Sequence, residues 1–172
     1  MDAEQRRERV LNAIKHQNRP ISASLLAREL NVSRQIIVGD VALLRAQGHE
    51  IIATARGYIT STFSEANQFL GKVVCQHRPD QTRAELYIIV DLGATAVNVV
   101  VEHSYYGEIT GGLNLASRKD VDEFMGKVKA SEVKLLSELT MGIHLHTIAC
   151  RDKAHFEEVY QALKAGGFLY QN

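Results

Sequence analysis

The chain has no tryptophan, two prolines, two cysteines and no net charge across its 172 residues. Each scarcity closes off a class of protein. Cys75 and Cys150 lie far apart and outside any Cys-x-x-Cys pattern, so they build neither a disulfide scaffold nor a four-cysteine zinc site. Both sit in apolar runs and read as buried thiols in a reducing compartment, with no disulfide expected. Pro20 and Pro79 act as punctuation, and no internal repeat or low-complexity segment appears. No stretch approaches the roughly 18 consecutive apolar residues of a membrane span. The N-terminus, with Glu4, Arg6, Arg7 and Glu8, is too charged for a signal peptide. A cytoplasmic chain without membrane contact is therefore expected. Its 45% apolar content suffices for a packed core in one ordinary domain or two small ones.

The zero net charge hides a division. Residues 1–62 carry nine Lys/Arg against six Asp/Glu, whereas 63–172 carry eleven against fourteen. Only the first third is drawn electrostatically toward phosphate. Its pattern predicts three helices. Glu4 to His16 places Val10, Leu11 and Ile14 on one face and stops at Arg19-Pro20. A second helix is capped by Ser22 or Ser24, has Leu25, Leu26 and Leu30 as its stripe, and ends at Asn31, which tolerates a left-handed turn. Ser33 caps the third, Arg34 to Gln47, closed by Gly48. The period then shortens, and Glu50 to Ala53 and Tyr58 to Thr60 read as a hairpin around Gly57. Residues 1–62 thus form a winged helix-turn-helix domain, and Ser33-Arg34-Gln35 with Arg56-Gly57-Tyr58-Ile59 resembles a bacterial family that also heads biotin ligase repressors. In such docking Ser33, Arg34 and Gln35 at the helix start meet DNA, with Arg34 and Gln35 reading base edges and Arg56 the wing contact. Arg28 and Arg45 suit phosphate. The alternative is a winged helix used for protein contact, its arginines merely solvated.

Residues 61–67 read as a short polar linker, and 68–172 as a second domain. Phe69 to His77 is a strand with Val73, Cys75 and His77 on one face. A helix follows from about Arg83 to Leu92. Thr82-Arg83-Ala84-Glu85 matches a capping box, which would occupy the Glu85 carboxylate; the other reading turns Glu85 and His77 into the same space above the sheet. Ala96 to Glu102 and Ile109 to Leu115 are further strands, Ser117 caps a helix to Lys129, and Val133 to Leu136 suggests a short helix in an ambiguous segment. Gly142 to Cys150 is the last full strand, Asp152 caps a helix over Ala154 to Lys164, and Phe168 to Tyr170 adds an edge strand. Strands interleaved with helices imply an α+β fold in two layers, helices on one face of a mainly antiparallel sheet, with connectivity open.

His144 and His146 project from the same strand face at adjacent pleats, which is half of a transition-metal site. Cys75 and Cys150 share faces with these histidines but lie farther along their strands and are expected to stay outside any site. His103, beside Tyr105 and Tyr106, either lines an effector pocket or bonds its own loop backbone. His16, His49 and His155 read as helix-end or surface residues.

Taken together, the winged helix, Val74-Cys75-Gln76-His77-Arg78-Pro79, Glu85-Leu86-Tyr87-Ile88-Ile89-Val90-Asp91, Val101-Glu102-His103 and Gly142-Ile143-His144-Leu145-His146-Thr147 resemble the niacin-responsive transcriptional repressors of the NiaR family, whose regulatory half is the 3H domain. The resemblance covers the whole chain. It implies a homodimeric, non-enzymatic repressor of NAD-biosynthesis and niacin-uptake genes that binds an inverted-repeat operator with nicotinic acid as co-repressor. It also implies a fold similar to the histidine-containing phosphocarrier and a metal held by His77, Glu85, His144 and His146. Three imidazoles and a carboxylate suit several divalent ions. The resemblance favours nickel, and zinc, iron, cobalt and manganese remain compatible. Two other readings stand beside it: a regulator for which the metal itself is the signal, and a metal-dependent hydrolase fused to a DNA-binding head.

Overall fold

The computed structural model describes residues 2–60 and 68–171. The chain divides into two compact units, Met1–Ala66 and Asn67–Asn172. The segment expected to link them, 61–67, lies outside the described residues.

The first unit runs α1 (Ala3–Lys15), α2 (Ala23–Glu29), α3 (Arg34–Ala46), β1 (Ile51–Thr54) and β2 (Gly57–Thr60). Each helix opens on a side-chain cap that satisfies a free amide: Asp2 accepts from Gln5 N at 2.8 Å, Ser22 from Leu25 N at 3.1 Å and Ser33 from Ile36 N at 3.3 Å. Of the two serines offered for α2, Ser22 takes the cap. Asn31 (φ 53°) makes the left-handed turn between α2 and α3. Val10 and Ile14 from α1, Leu26 from α2, and Ile37, Val41 and Leu44 from α3 close a core that also takes in Ile21 and Ile51. The wing is held to this core through Ile21 and Tyr58, whose backbones exchange two hydrogen bonds of 2.8 and 2.9 Å. Gly57 makes that approach possible: a Cβ there would sit 2.3 Å from the Ile21 carbonyl oxygen.

The second unit runs β3 (Phe69–Gln76), α4 (Thr82–Asp91), β4 (Thr95–His103), β5 (Gly107–Leu115), α5 (Arg118–Ala130), β6 (Ile143–Cys150) and α6 (Lys153–Ala165). Its sheet order is β3-β6-β4-β5 with every neighbouring pair antiparallel. β3 and β4 are therefore parallel with β6 inserted between them, and β5 and β6 are parallel with β4 between. Two interleaved split β-α-β crossovers thus place β6 in the middle of the sheet. The C-terminal segment completes β3's outer edge, where Gln76 N donates to Phe168 O and Tyr170 N to Val74 O, both at 2.9 Å. Leu86, Ile89, Ile148 and Leu163 are at most 1% exposed, and burial of each contributes about 1.5–3 kcal/mol. That apolar gain offsets the cost of carrying a carboxylate in the same layer.

Two expectations need correction here. The segment before β6 forms no helix over Val133 to Leu136; a 3-10 turn at Leu136–Thr140 replaces it, packing Leu136 over Gly111. His155 is not a surface residue. It is 3% exposed, its Nε2–H donates to Leu92 O at 2.6 Å, and its Nδ1 accepts from Arg151 N at 3.1 Å, tying the start of α6 to the end of α4.

Candidate metal centre and nucleic-acid interface

The pairing of β3 with β6 sets Val73 opposite His146 and Cys75 opposite His144. Cross-strand partners share a face, so both histidines stand on the side that α4 covers. His77, just past β3, continues the same face. Glu85, 0% exposed, comes down from α4 into their midst. Its carboxylate takes His77 Nε2 in a short contact, His144 Nε2 at 3.0 Å and His146 Nε2 at 3.2 Å. The structure thus brings together all four residues that the resemblance pointed to.

The capping box proposed for Glu85 does not form. Pro79–Gln81 is a 3-10 turn closed by the Gln81 side chain, which accepts from Arg78 N at 3.0 Å. Thr82 is consequently the first residue of α4 rather than its cap, and its hydroxyl is buried without a partner. With the Thr82 amide already donating to Pro79 O, the Glu85 carboxylate is released to the interior.

The opposite nitrogens explain how the rings are held. His77 Nδ1 meets Arg78 O at 2.8 Å, His144 Nδ1 meets Gly142 O at 2.8 Å, and His146 Nδ1 meets Asn98 O at 2.7 Å. A carbonyl oxygen only accepts, so each Nδ1 carries a proton, and each ring, when neutral, aims an Nε2 lone pair inward. Three lone pairs then face a carboxylate that also only accepts, and the cluster is short of positive charge. Protonating every ring would place three positive charges against one negative charge in a closed space. One divalent cation satisfies all four donors together. Imidazole held by a carbonyl on its far nitrogen is also the usual support of metal-binding histidine. The donor set therefore fits a divalent metal.

Without a metal, protons compete for the same lone pairs. Burial opposes ionisation of Glu85, but the surrounding imidazoles, His146 foremost, outweigh it and hold the carboxyl well below its ordinary range. Burial likewise pulls His77 and His146 down, and bonding to Glu85 outweighs it and raises both. Burial, reinforced by the charge of Glu85, pushes the Cys75 thiol far up.

Sequence reasoning missed three contributors. Asn98 sits at a bulge in β4 that frees its carbonyl for His146, while its side chain accepts from Thr147 N at 3.0 Å. Gly142, at φ 89°, lets β6 start against the end of β3; a Cβ there would lie 2.5 Å from His77 O. Cys75 was expected to stay outside, yet its sulfur and the donor atoms of Glu85 and His144 all lie within 4.8 Å of one another. The cross-strand register explains the error, since Cys75 is level with His144 rather than beyond it. Cys150 pairs with Phe69 at the far end of the strand.

His103 takes its local role: its Nδ1 accepts from Tyr105 N at 3.2 Å and Tyr106 N at 3.4 Å. It also borders a groove of about 990 Å³ shared with Val74, Val100, Glu108, Ile143 and His144. A second hollow of about 570 Å³ opens beside His77, with Arg78, Lys134 and Glu138 on its walls.

In the first unit, Arg34 and Gln35 are exposed immediately after the Ser33 cap, and Arg28 and Arg45 are exposed as well. Arg56 is half-buried in the β1–β2 turn, where its amide donates to Thr54 Oγ1 at 3.2 Å. The first three residues of α3, Arg34 to Ile36, thus stand outside the core. Behind it, Arg6 of α1 grips Asp40 of α3 through two bonds of 2.6 and 3.1 Å, an ion pair that sequence spacing did not announce. Asp40, 3% exposed, fixes α3 against α1.

A winged helix-turn-helix unit and a domain built around a buried histidine–carboxylate cluster define a two-domain DNA-binding regulator. Comparison with known proteins sharpens this. An HTH domain matches residues 6–59 and a 3H domain matches residues 71–172. The chain is 37% identical over 169 residues to the transcription repressor NadR of Bacillus subtilis (strain 168), covering 97% of this chain and 94% of that protein. It is 36% identical over 168 residues to a protein of Thermotoga maritima named "Probable transcription repressor NiaR", covering 98% and 95%. The chain belongs to the NadR/NiaR family of transcription repressors. It is a regulator rather than an enzyme, which removes the hydrolase reading. No helix among the described residues is long and apolar enough to cross a membrane.

Proposed function

We propose that the protein is a cytoplasmic, metal-assisted repressor of NAD-biosynthesis and niacin-uptake genes, with nicotinic acid as co-repressor. The observation that carries the metal half of this reading is the convergence of three Nε2 lone pairs on one buried carboxylate. His77, Glu85, His144 and His146 of the regulatory domain, 68–172, hold the ion, nickel first and zinc, iron, cobalt or manganese also compatible with the donors. Once bound, the metal supplies a localised positive charge to which a pyridine carboxylate is attracted. The chain's own residues orient that encounter: the carbonyls of Arg78, Gly142 and Asn98 fix the rings, and the hollow beside His77 has room for a small aromatic acid, whereas the groove bordered by His103 lies on the opposite sheet face with Val74, Val100 and Leu145.

In the head, 1–62, Arg34 and Gln35 meet base edges beside the Ser33 cap, and Arg56 makes the wing contact. One such head reads a short half-site, so the protein works as a homodimer on an inverted repeat. Repression requires that nicotinic acid favour one arrangement of the two heads by a coupling of about 1–3 kcal/mol.

The test is binding of purified protein to fragments upstream of NAD-synthesis and niacin-uptake genes, with nicotinic acid and nicotinamide compared before and after chelation. Nicotinic acid is expected to tighten binding only with metal present. If neither compound changes affinity, the niacin assignment fails. The enclosure of the cluster, with His77, His144 and His146 side chains 2–3% exposed, favours a second reading in which the ion alone is the signal. Tighter binding with metal and no response to nicotinic acid would establish that reading.

A further inference from the structure

We propose that Cys75 is an additional ligand of this chain's metal centre, which then presents a thiolate beside imidazole and carboxylate. The inference rests on the assignment of the metal to the histidine–Glu85 cluster.

Three observations support it. The Cys75 sulfur, a carboxylate oxygen of Glu85 and a ring nitrogen of His144 all lie within 4.8 Å of one another. Donors sharing one tetrahedral, zinc-sized ion sit roughly 3.3–3.8 Å apart, so the three donors must close by about an ångström to reach a shared arrangement. Next, Cys75 is the cross-strand partner of His144, and its sulfur projects on the face that carries the histidines. Finally, the thiol is 0% exposed and has no disulfide partner within reach. Cys150 pairs with Phe69 six residues farther along β6, about 20 Å away at strand rise, beyond disulfide reach. A buried thiol set against a carboxylate and an imidazole nitrogen faces donors on that side, where an apolar filler would meet hydrocarbon.

On binding, the S–H bond breaks, its proton passes to solvent, and the electron pair left on sulfur forms the metal–sulfur bond. No electron changes hands, and the metal ion is the only co-reactant. A thiolate shifts the set toward softer ions, so zinc and cobalt gain relative to manganese compared with an all nitrogen and oxygen site.

The probe is cobalt(II), titrated into the full-length protein after chelator treatment and followed by absorption spectroscopy. The expected wild-type spectrum has visible d–d bands together with near-ultraviolet thiolate-to-cobalt charge transfer. Cys75→Ser keeps the d–d bands, loses the charge-transfer band and weakens cobalt binding at least ~10-fold. Cys150→Ser keeps both. Cys75→Val, close in volume to the thiol, repeats the loss should serine perturb folding. Proton release per cobalt, measured in two buffers of different ionisation enthalpy, falls by one in either Cys75 variant. Wild-type d–d bands without charge transfer, or a charge-transfer band that survives Cys75→Val, overturns this inference alone. Absence of any cobalt spectrum overturns it together with the metal reading beneath it.

Discussion

The two units solve the problem of an interior in opposite ways. The head closes over aliphatic side chains and, among the described residues, admits a single buried acid, Asp40, already answered by the two-pronged grip of Arg6. The regulatory unit places Glu85, His144 and His146 at 0–4% exposure beside its apolar layer and answers the carboxylate with imidazoles, whose positive charge must come from solution. An interior whose ionic partner is built into the chain is complete once folded. One whose partner must come from solution is conditional, and that conditionality is what a sensor needs.

The contrast is most directly broken at its centre. Glu85→Ala removes the sole carboxylate among three imidazoles and should abolish measurable metal uptake by calorimetry, a loss of ~100-fold or more in affinity. The backbone amides of α1 to α3 should keep their hydrogen-exchange protection. If the head also loosens, the units are not independent in stability.

Gly142→Ala should act next. Its methyl would press on the His77 carbonyl at the turn that also orients His144. Metal affinity should fall by about 10–100-fold, with unchanged exchange in the head. Equal metal affinity in this variant would show that the turn does not set ring orientation.

In the other unit, Arg34→Ala should cost about 1–3 kcal/mol of operator affinity while metal titration stays at its wild-type value. A change in metal affinity would contradict the division of labour.

The smallest effect is one of pH. In metal-free protein His77 and His146 titrate above their ordinary value near 6.5. Their contribution to stability is therefore complete below about pH 6.5 and is lost as pH rises through the raised values. Glu85 is depressed below its ordinary 4.5. Its contribution is present above that value and disappears as pH falls through the lowered one. Metal-free regulatory domain should thus be most stable in weak acid, whereas metal affinity should climb toward neutral pH as protons stop competing. Melting curves with and without metal across pH 5 to 8 check both slopes, and parallel slopes would refute the cluster as the cause.

The head was legible almost residue by residue because its signals are local: caps at Ser22 and Ser33, a left-handed Asn31, a change of period after Gly48. The histidine pair on β6 was legible for the same reason, strand alternation being a two-residue rule. What stayed hidden depends on register. Thr82 and Glu85 carry a sound capping pattern, and only the turn at Pro79–Gln81, in which the Pro79 carbonyl takes the Thr82 amide, shows why the pattern is not used. Cys75 was placed too far along its strand because the β3–β6 alignment cannot be read from either strand alone. Asn98 and the Arg6–Asp40 pair join positions tens of residues apart, and no spacing rule reaches that far.

The three rings take their aim from main-chain oxygens, those of Arg78, Gly142 and Asn98. Every amino acid carries such an oxygen. Apart from the glycine, whose backbone shape is demanding, mutation at these anchoring positions changes the side chain and leaves the anchor. Ligand chemistry around the cavity is therefore free to drift toward a different small molecule while the direction of the imidazoles is inherited intact. Only an insertion or deletion that shifts a strand by one residue would erase it.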